Sequence, residues 1–358
     1  MTVTEPRDAP PRRARPAGYG LARRRRASFL LHRRAGVVAL ILLALLSCAC
    51  LAALCLGETT VAPDQALRAV FGRPSDAEFV VGVLRLPRLT LALLVGAALG
   101  VAGALIQAVA RNPLASPDVI GVTHGAAAVT VTAMTYGLTS AAALPYLSVT
   151  GGLAAAALVY LFAWRGGLHA GRFVLIGIGI AVALRSVTQL FLTKGDHQIA
   201  QQATVWMTGS FNGRGYDQAQ PLAWALLALL PAVLWAARAQ RAVVLDDDTA
   251  TALGVRLGRT RLGLATVGVL LAALATGAAG PVDFVALLAP QIARRLTRTA
   301  QLPLLCSALA GAVLTVTADV LARTLFAPTE LAAGVVTAAV GAPYLLWLIV
   351  THRTGGRA

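Results

Sequence analysis

Val37–Leu56 reads VVALILLALLSCACLAALCL and carries no charge. A helix rises 1.5 Å per residue, so about 20 apolar residues match a hydrocarbon layer 30 Å thick. More runs of this kind follow: Leu89–Ala110, Val119–Tyr136, Leu144–Trp164, Phe173–Leu192 and Leu222–Ala237. Leu262–Gly280, Phe284–Ala293 with its flanks, Leu302–Leu321 and Ala332–Val350 complete the series. The series predicts an all-α polytopic membrane protein of about ten transmembrane helices. The balance of 57% hydrophobic to 13% charged residues over 358 positions is foreign to a soluble domain of this size.

The formal net charge is +16. Its arginines cluster in the N-terminal stretch and in patches between apolar runs, which is the positive-inside pattern and excludes nucleic-acid binding. Residues 1–34, rich in Pro and Arg, predict a disordered basic cytoplasmic tail. Leu45-Leu46-Ser47-Cys48 has the look of a lipoprotein cleavage box, but the apolar run continues to Leu56, so a retained first span is expected. Residues 35–351 form the transmembrane domain and 352–358 a second short tail. Arginines return at alternate turns, at Arg111, Arg165 and Arg294, and this places both termini in the cytoplasm. Gly96, Gly100 and Gly103 space small residues for close helix packing. Gly195–Gln220, with Trp206, Met207, Phe211 and Tyr216, is expected as an external amphipathic segment. Cys48, Cys50, Cys55 and Cys306 all lie in apolar runs, without metal-ligand spacing, and read as packing residues.

Leu245–Arg261, LDDDTATALGVRLGRTR, interrupts two apolar runs. Asp246, Asp247 and Asp248 suit the N terminus of a short helix, and Gly254 stands where a C-cap glycine belongs. A capped helix on the cytoplasmic side is either a connector or a surface for a soluble partner.

The chain has no GxxxxGK[ST] phosphate loop, no HExxH and no GxSxG, the patterns that would point to an ATP site or a hydrolase. Ion-coupled carriers place ionisable groups near the bilayer middle. Asp319 and Glu330 fall near span ends, and Arg185 lies inside the fifth span, where it faces an aqueous pathway, pairs with a neighbouring helix or is a structural residue bonded to backbone carbonyls.

Arg85–Ala127, RLPRLTLALLVGAALGVAGALIQAVARNPLASPDVIGVTHGAA, resembles the permease subunits of iron-siderophore, haem and cobalamin ABC importers. So do Gly280–Leu296, GPVDFVALLAPQIARRL, and the C-terminal ADVLAR…ELAAGVVTAAVGAPYLLWLI. Within that family GRFVLIGIGIA, WMTGSFNGRGY and DDDTATALGV resemble the ferric-enterobactin-type siderophore branch. Gln291 in place of the usual His, and Ala286 in place of Gly, point the same way. One departure is Glu330-Leu331-Ala332-Ala333-Gly334, where the family carries Glu-Leu-Pro-Val-Gly; losing the proline predicts easier helix continuation.

The resemblance implies a type II ABC importer permease fold, in the bacterial cytoplasmic membrane, with no reaction of its own and no cofactor bound directly. ATP and Mg would sit on two partner ATPase subunits, coupled through Asp246, Asp247, Asp248, Thr251, Leu253 and Gly254. An extracytoplasmic siderophore-binding protein would dock on Arg85, Arg88, Arg323 and Glu330. For Arg323 a pairing with Asp319 one turn away is the local alternative. Gly121, Thr123, His124, Arg185 and Trp206 are the expected pathway residues. A second permease chain completes the pathway, a related chain first and an identical copy second. A haem or cobalamin permease and an ion-coupled secondary transporter are the rival readings; the second is disfavoured by the shortage of mid-membrane carboxylates.

Overall fold

The computed structural model describes residues 19–24, 27–138, 143–164, 170–299 and 301–354. A hairpin of β1 (Tyr19–Arg24) and β2 (Ala27–His32) precedes α1 (Arg33–Cys55) and α2 (Pro63–Val70). A π-helical lead-in, Phe79–Arg85, runs straight into α3 (Leu86–Ala110). Next come α4 (Val122–Thr135), α5 (Leu144–Ala163), α6 (Ala170–Lys194), α7 (His197–Met207) and α8 (Tyr216–Val243). The series ends with α9 (Asp247–Ala252), α10 (Leu257–Ala279), α11 (Val285–Thr297), α12 (Leu304–Thr324) and α13 (Ala333–Thr354).

Every expected span corresponds to a helix, but they are not equivalent. Seven are long and apolar enough to cross a bilayer: α1, α3 with its lead-in, α5, α6, α8, α10 and α12. Helix α13 has a shorter apolar stretch, Ala333–Trp347, while α4 and α11 have only 14 and 13 residues. Both of these short helices start after a residue in the left-handed region, Gly121 (φ 88°) and Phe284 (φ 66°). Val119–Gly121, expected as the start of a span, is therefore a turn.

Helix α3 is the axis of the bundle. In its most apolar window 78% of residues are buried, against 22% in α1 and 11% in α8. It packs on α12, α10, α11 and α8. Its glycine stripe explains how: a Cβ at Gly100 would stand 2.1 Å from Ser307 O, and one at Gly103 only 1.6 Å from Ala286 O. Backbones in such contact gain dispersion energy that larger side chains would forfeit. Thr315 Oγ1 adds a bond to Ala92 O at 2.8 Å.

Three features bear on the expected ends and junctions. The expected disordered tail contains an antiparallel hairpin that pairs Leu21 with Leu30 and Ala22 with Phe29. Its strands pair from Tyr19 on His32 to Arg24 on Ala27; residues 1–18 lie outside the described residues, as do Arg165 and residues 355–358. At the other terminus α13 runs to Thr354, past the expected boundary at residue 351. Finally, Glu330–Ala332 does not become helix despite the missing proline. Leu331 N–H donates to Ala322 O and Gly334 N–H to Gly209 O, each at 3.0 Å, and these bonds hold the approach to α13 outside the helix.

Candidate functional sites at the two ends of the bundle

At one end, α9 is a hexapeptide helix closed at both termini. Asp246 is its N-cap, accepting from Thr249 N–H at 2.9 Å. At the far end Gly254 (φ 79°) donates to Thr251 O, and Val255 N–H donates to Ala250 O, the paired bonds of a Schellman cap. Asp247 is clamped: its Oδ1 lies 2.6 Å from Arg111 Nη2 and 2.7 Å from Arg261 Nη2. Arg111 ends α3 in the left-handed region and also donates to Leu245 O at 2.6 Å. Helix α9 is thereby tied to both α3 and α10. The hydrogen bond from Arg261, then the charges of Arg261 and Arg111, hold the Asp247 carboxyl below its ordinary range. Asp248 and Thr251 point outward, and Leu253 is 68% exposed at the tip.

At the opposite end the expected docking arginines are gathered into one cluster, facing inward. Arg88 Nε donates to Asp319 Oδ1 at 2.9 Å, and its Nη1 to Glu330 Oε2 at 3.0 Å. Arg323 Nε stands 3.4 Å from Asp319 Oδ2, and its Nη2 donates to Ala53 O at 3.1 Å. Arg85 Nη1 donates to Leu54 O at 2.6 Å. The arginines are 7–9% exposed and Asp319 2%. A buried carboxylate shared by two guanidinia is compensated where a lone charge would not be. The local Asp319–Arg323 pairing is present; Arg88 joins it from α3. Glu330 is the member that reaches the surface, with 29% of its side chain exposed.

The expected pathway residues divide. Gly121 and Thr123 are buried in the turn that starts α4, where Thr123 Oγ1 donates to Asp118. His124 is half-buried and within electrostatic range of Asp283 and Arg185. Arg185 is exposed on α6, on a face shared with Ile178, Val182, Ser186 and Gln189. Trp206 is mostly buried against Val131, Met134 and Ala203, with an edge on a surface cavity. Sequence reasoning missed Asp118 and Asp283, which lie ahead of the two short helices; an acid just before a short apolar segment was the available signal. It also missed the partners of Gln291. That amide donates to Gln107 and accepts from Arg294 Nη2 at 2.9 Å, while Gln107 Nε2 donates to Leu287 O. Among the described residues no cluster of three or more His, Cys, Asp or Glu has the arrangement to hold a metal ion.

The chain and its fold are matched in known proteins. Residues 42–351 match the model of the FecCD transport family. The chain belongs to that family. Among FecCD permeases, the ferric enterobactin transport system permease protein FepG of Escherichia coli (strain K12) is 40% identical over 295 residues, 82% of this chain and 89% of the relative. The achromobactin transport system permease protein CbrC of Dickeya dadantii (strain 3937) is 38% identical over 324 residues, 89% and 92% of the two chains. A solved metal-chelate type ABC transporter in an inward-facing conformation superposes with a TM-score of 0.75 at 27% identity, covering 88% of this chain and 99% of that one. As a FecCD permease this chain is a multi-pass membrane transport subunit, with a helical fold shared along nearly its whole length.

Proposed function

We propose that this chain is the permease subunit of an ATP-driven importer that carries a ferric siderophore across the bacterial cytoplasmic membrane. The ferric enterobactin and achromobactin named for its relatives support the substrate. The observation that carries the coupling is α9, a helix capped at both ends and braced by two arginines, with an apolar tip at Leu253. A braced helix passes on a rigid-body push that a loop would absorb. Two ATPase subunits, which hold the ATP and Mg, take this tip between them and the permease; Asp248, Thr251 and Leu253 make the contact, while Asp246, Asp247 and Gly254 shape the helix. Both termini then lie on the same cytoplasmic side.

The binding protein docks at the opposite end through Glu330. Arg85, Arg88 and Arg323 serve that face as its internal frame, since their guanidinia are already engaged. A second permease chain, a related one before an identical one, covers the outward face of α6, and the pathway passes Arg185, His124 and the Gly121–Thr123 turn. Lipid surrounds α1 and α8, two spans with few buried residues.

The test is reconstitution in liposomes with the ATPases, the companion permease and the binding protein. Uptake of a ferric siderophore that requires ATP is the expected result. Uptake driven by an ion gradient without ATP overturns the importer, and transport of haem or cobalamin with indifference to every iron chelate overturns the cargo.

A further inference from the structure

Between α7 and α8, residues 208–215 form a loop fixed from several sides. Ser210 N–H donates to Ala279 O at 3.1 Å, and Gly209 O accepts from Gly334 N–H at 3.0 Å, tying the loop to the end of α10 and the start of α13. Phe211 is fully buried beneath it. At Gly209 (φ 66°) a Cβ would stand 1.8 Å from Pro281 O, so the approach requires glycine. A side chain rooted in such a loop is positioned before any ligand arrives.

That side chain is Arg214. Desolvation pushes its guanidinium pKa down, and among the described residues no side chain or carbonyl accepts a hydrogen bond from it. Arg214 is only partly buried, so its guanidinium is left to water or to a ligand at the cavity wall. Arg85, Arg88 and Arg323, at the same end, are all engaged. Arg214 borders two adjoining cavities of about 730 and 660 Å³, a size that suits small-molecule ligands. The first is lined by Gln198, Gln201 and Gln202, exposed on one face of α7, together with Trp206 and Asn212. Each carboxamide both donates and accepts. The second brings Arg85, Arg88 and Arg323 against Glu58, Asp217 and Glu330. Glu330, which borders both cavities, is already paired with Arg88 at 3.0 Å; of the arginines lining the two cavities, Arg214 is the one whose side chain has no ion pair or hydrogen bond among the described residues.

We infer that Arg214, with Gln198, Gln201 and Gln202, forms an entry site that selects an anionic, oxygen-rich iron chelate over a neutral one. This rests on the importer reading above and adds the charge class of the cargo. A ferric tris-catecholate presents negatively charged oxygens to the guanidinium and further acceptors to the amides; a ferric trihydroxamate has no net charge to offer.

The experiment uses the complete importer in liposomes, binding protein included, with ferric tris-catecholate and ferric trihydroxamate as probes. Loss of one charge-assisted hydrogen bond corresponds to about tenfold in affinity, so Arg214→Gln raises KM for the tris-catecholate about tenfold. Arg214→Lys keeps most of the uptake, and the pair Gln201→Ala, Gln202→Ala shows a smaller loss. Melting temperature and capture of the binding protein are read on the same samples. Unchanged tris-catecholate uptake in Arg214→Gln, or a wild type that prefers the trihydroxamate, overturns the site. A loss that follows lost capture of the binding protein makes Arg214 a docking residue and also overturns it. These outcomes leave ATP-driven import standing; uptake without ATP, or none of any iron chelate, removes the importer reading and this inference with it.

Discussion

Asp247 is the carboxylate on which α9 hangs, because it alone of the three consecutive aspartates meets two guanidinia. Replacing it with alanine leaves Arg261, 6% exposed and with Nε already lacking an acceptor, without its carboxylate. Asp247 is itself half-exposed, so the full cost of a broken buried pair is discounted to about 1–2 kcal/mol. Asp248→Ala, which loses no contact, stays within about 0.5 kcal/mol of wild type. Thermal melting of the two variants in detergent decides: equal shifts would show that the clamp carries no stability. The pH dependence follows in sign. A carboxyl whose folded pKa lies below its ordinary 3.8 stabilises fully above that value and loses the contribution as pH falls through the folded one. The α9 anchorage is therefore flat from neutrality down to mild acid and fails below about pH 4, which hydrogen exchange of the α9 amides would follow. The cap at Asp246 was legible in the sequence because an N-cap is a local device. The clamp was not: Arg111 arrives from the far end of another helix, and a run of three aspartates does not say which one faces it. The inward direction of the arginines at the other end was illegible for a related reason. Their place at span ends was visible, and their inward direction depends on Asp319, whose second partner is distant in sequence.

Among the elements, α3 is where close packing is least forgiving. Gly103→Ala would drive a methyl into the Ala286 carbonyl, with backbone on both sides and no side chain to yield. Overpacking of this kind costs about 1–3 kcal/mol and more where nothing can shift. The variant is expected to be poorly expressed or to melt well below wild type, whereas Gly36→Ala, with nothing within 4 Å, is neutral or slightly stabilising. Similar melting of both would refute the packing account of the stripe. That stripe was legible, as was the existence of each span, because apolar length and small-residue spacing are properties of one segment. Helix ends were less so. Val119–Gly121 and the start of α11 are apolar enough to pass for helix, and the left-handed turns at Gly121 and Phe284 depend on packing around them. The hairpin ahead of α1 was hidden by composition, since charge density says nothing about the register of Leu21 on Leu30.

At the scale of the whole molecule the two ends are joined by one rigid member. Helix α3 has 25 residues; Arg88 near its start holds Asp319 and Glu330, and Arg111 at its end holds Asp247. From one arginine to the other is about 35 Å at 1.5 Å per residue. A displacement of α9 reaches α3 through the Arg111–Asp247 pair and reaches α10 through Arg261, so the two routes can be separated. Arg261→Gln removes the more deeply buried partner and is the more destabilising change. Arg111→Gln removes the half-exposed partner on α3, and with it the bonds to Val243 O and Leu245 O. If force between the ends travels along α3, the order of effects on transport is the reverse of the order on stability. Arg111→Gln should then lower the amount of chelate imported per ATP hydrolysed several-fold while melting close to wild type, a loss of about 1 kcal/mol in coupling. Arg261→Gln should melt lower yet keep more of the ratio. Liposomes scored for uptake and phosphate release in the same sample supply both numbers. A ratio untouched by Arg111→Gln, or a ratio that simply tracks melting temperature across the two variants, would mean that α3 is a packing axis and not a strut.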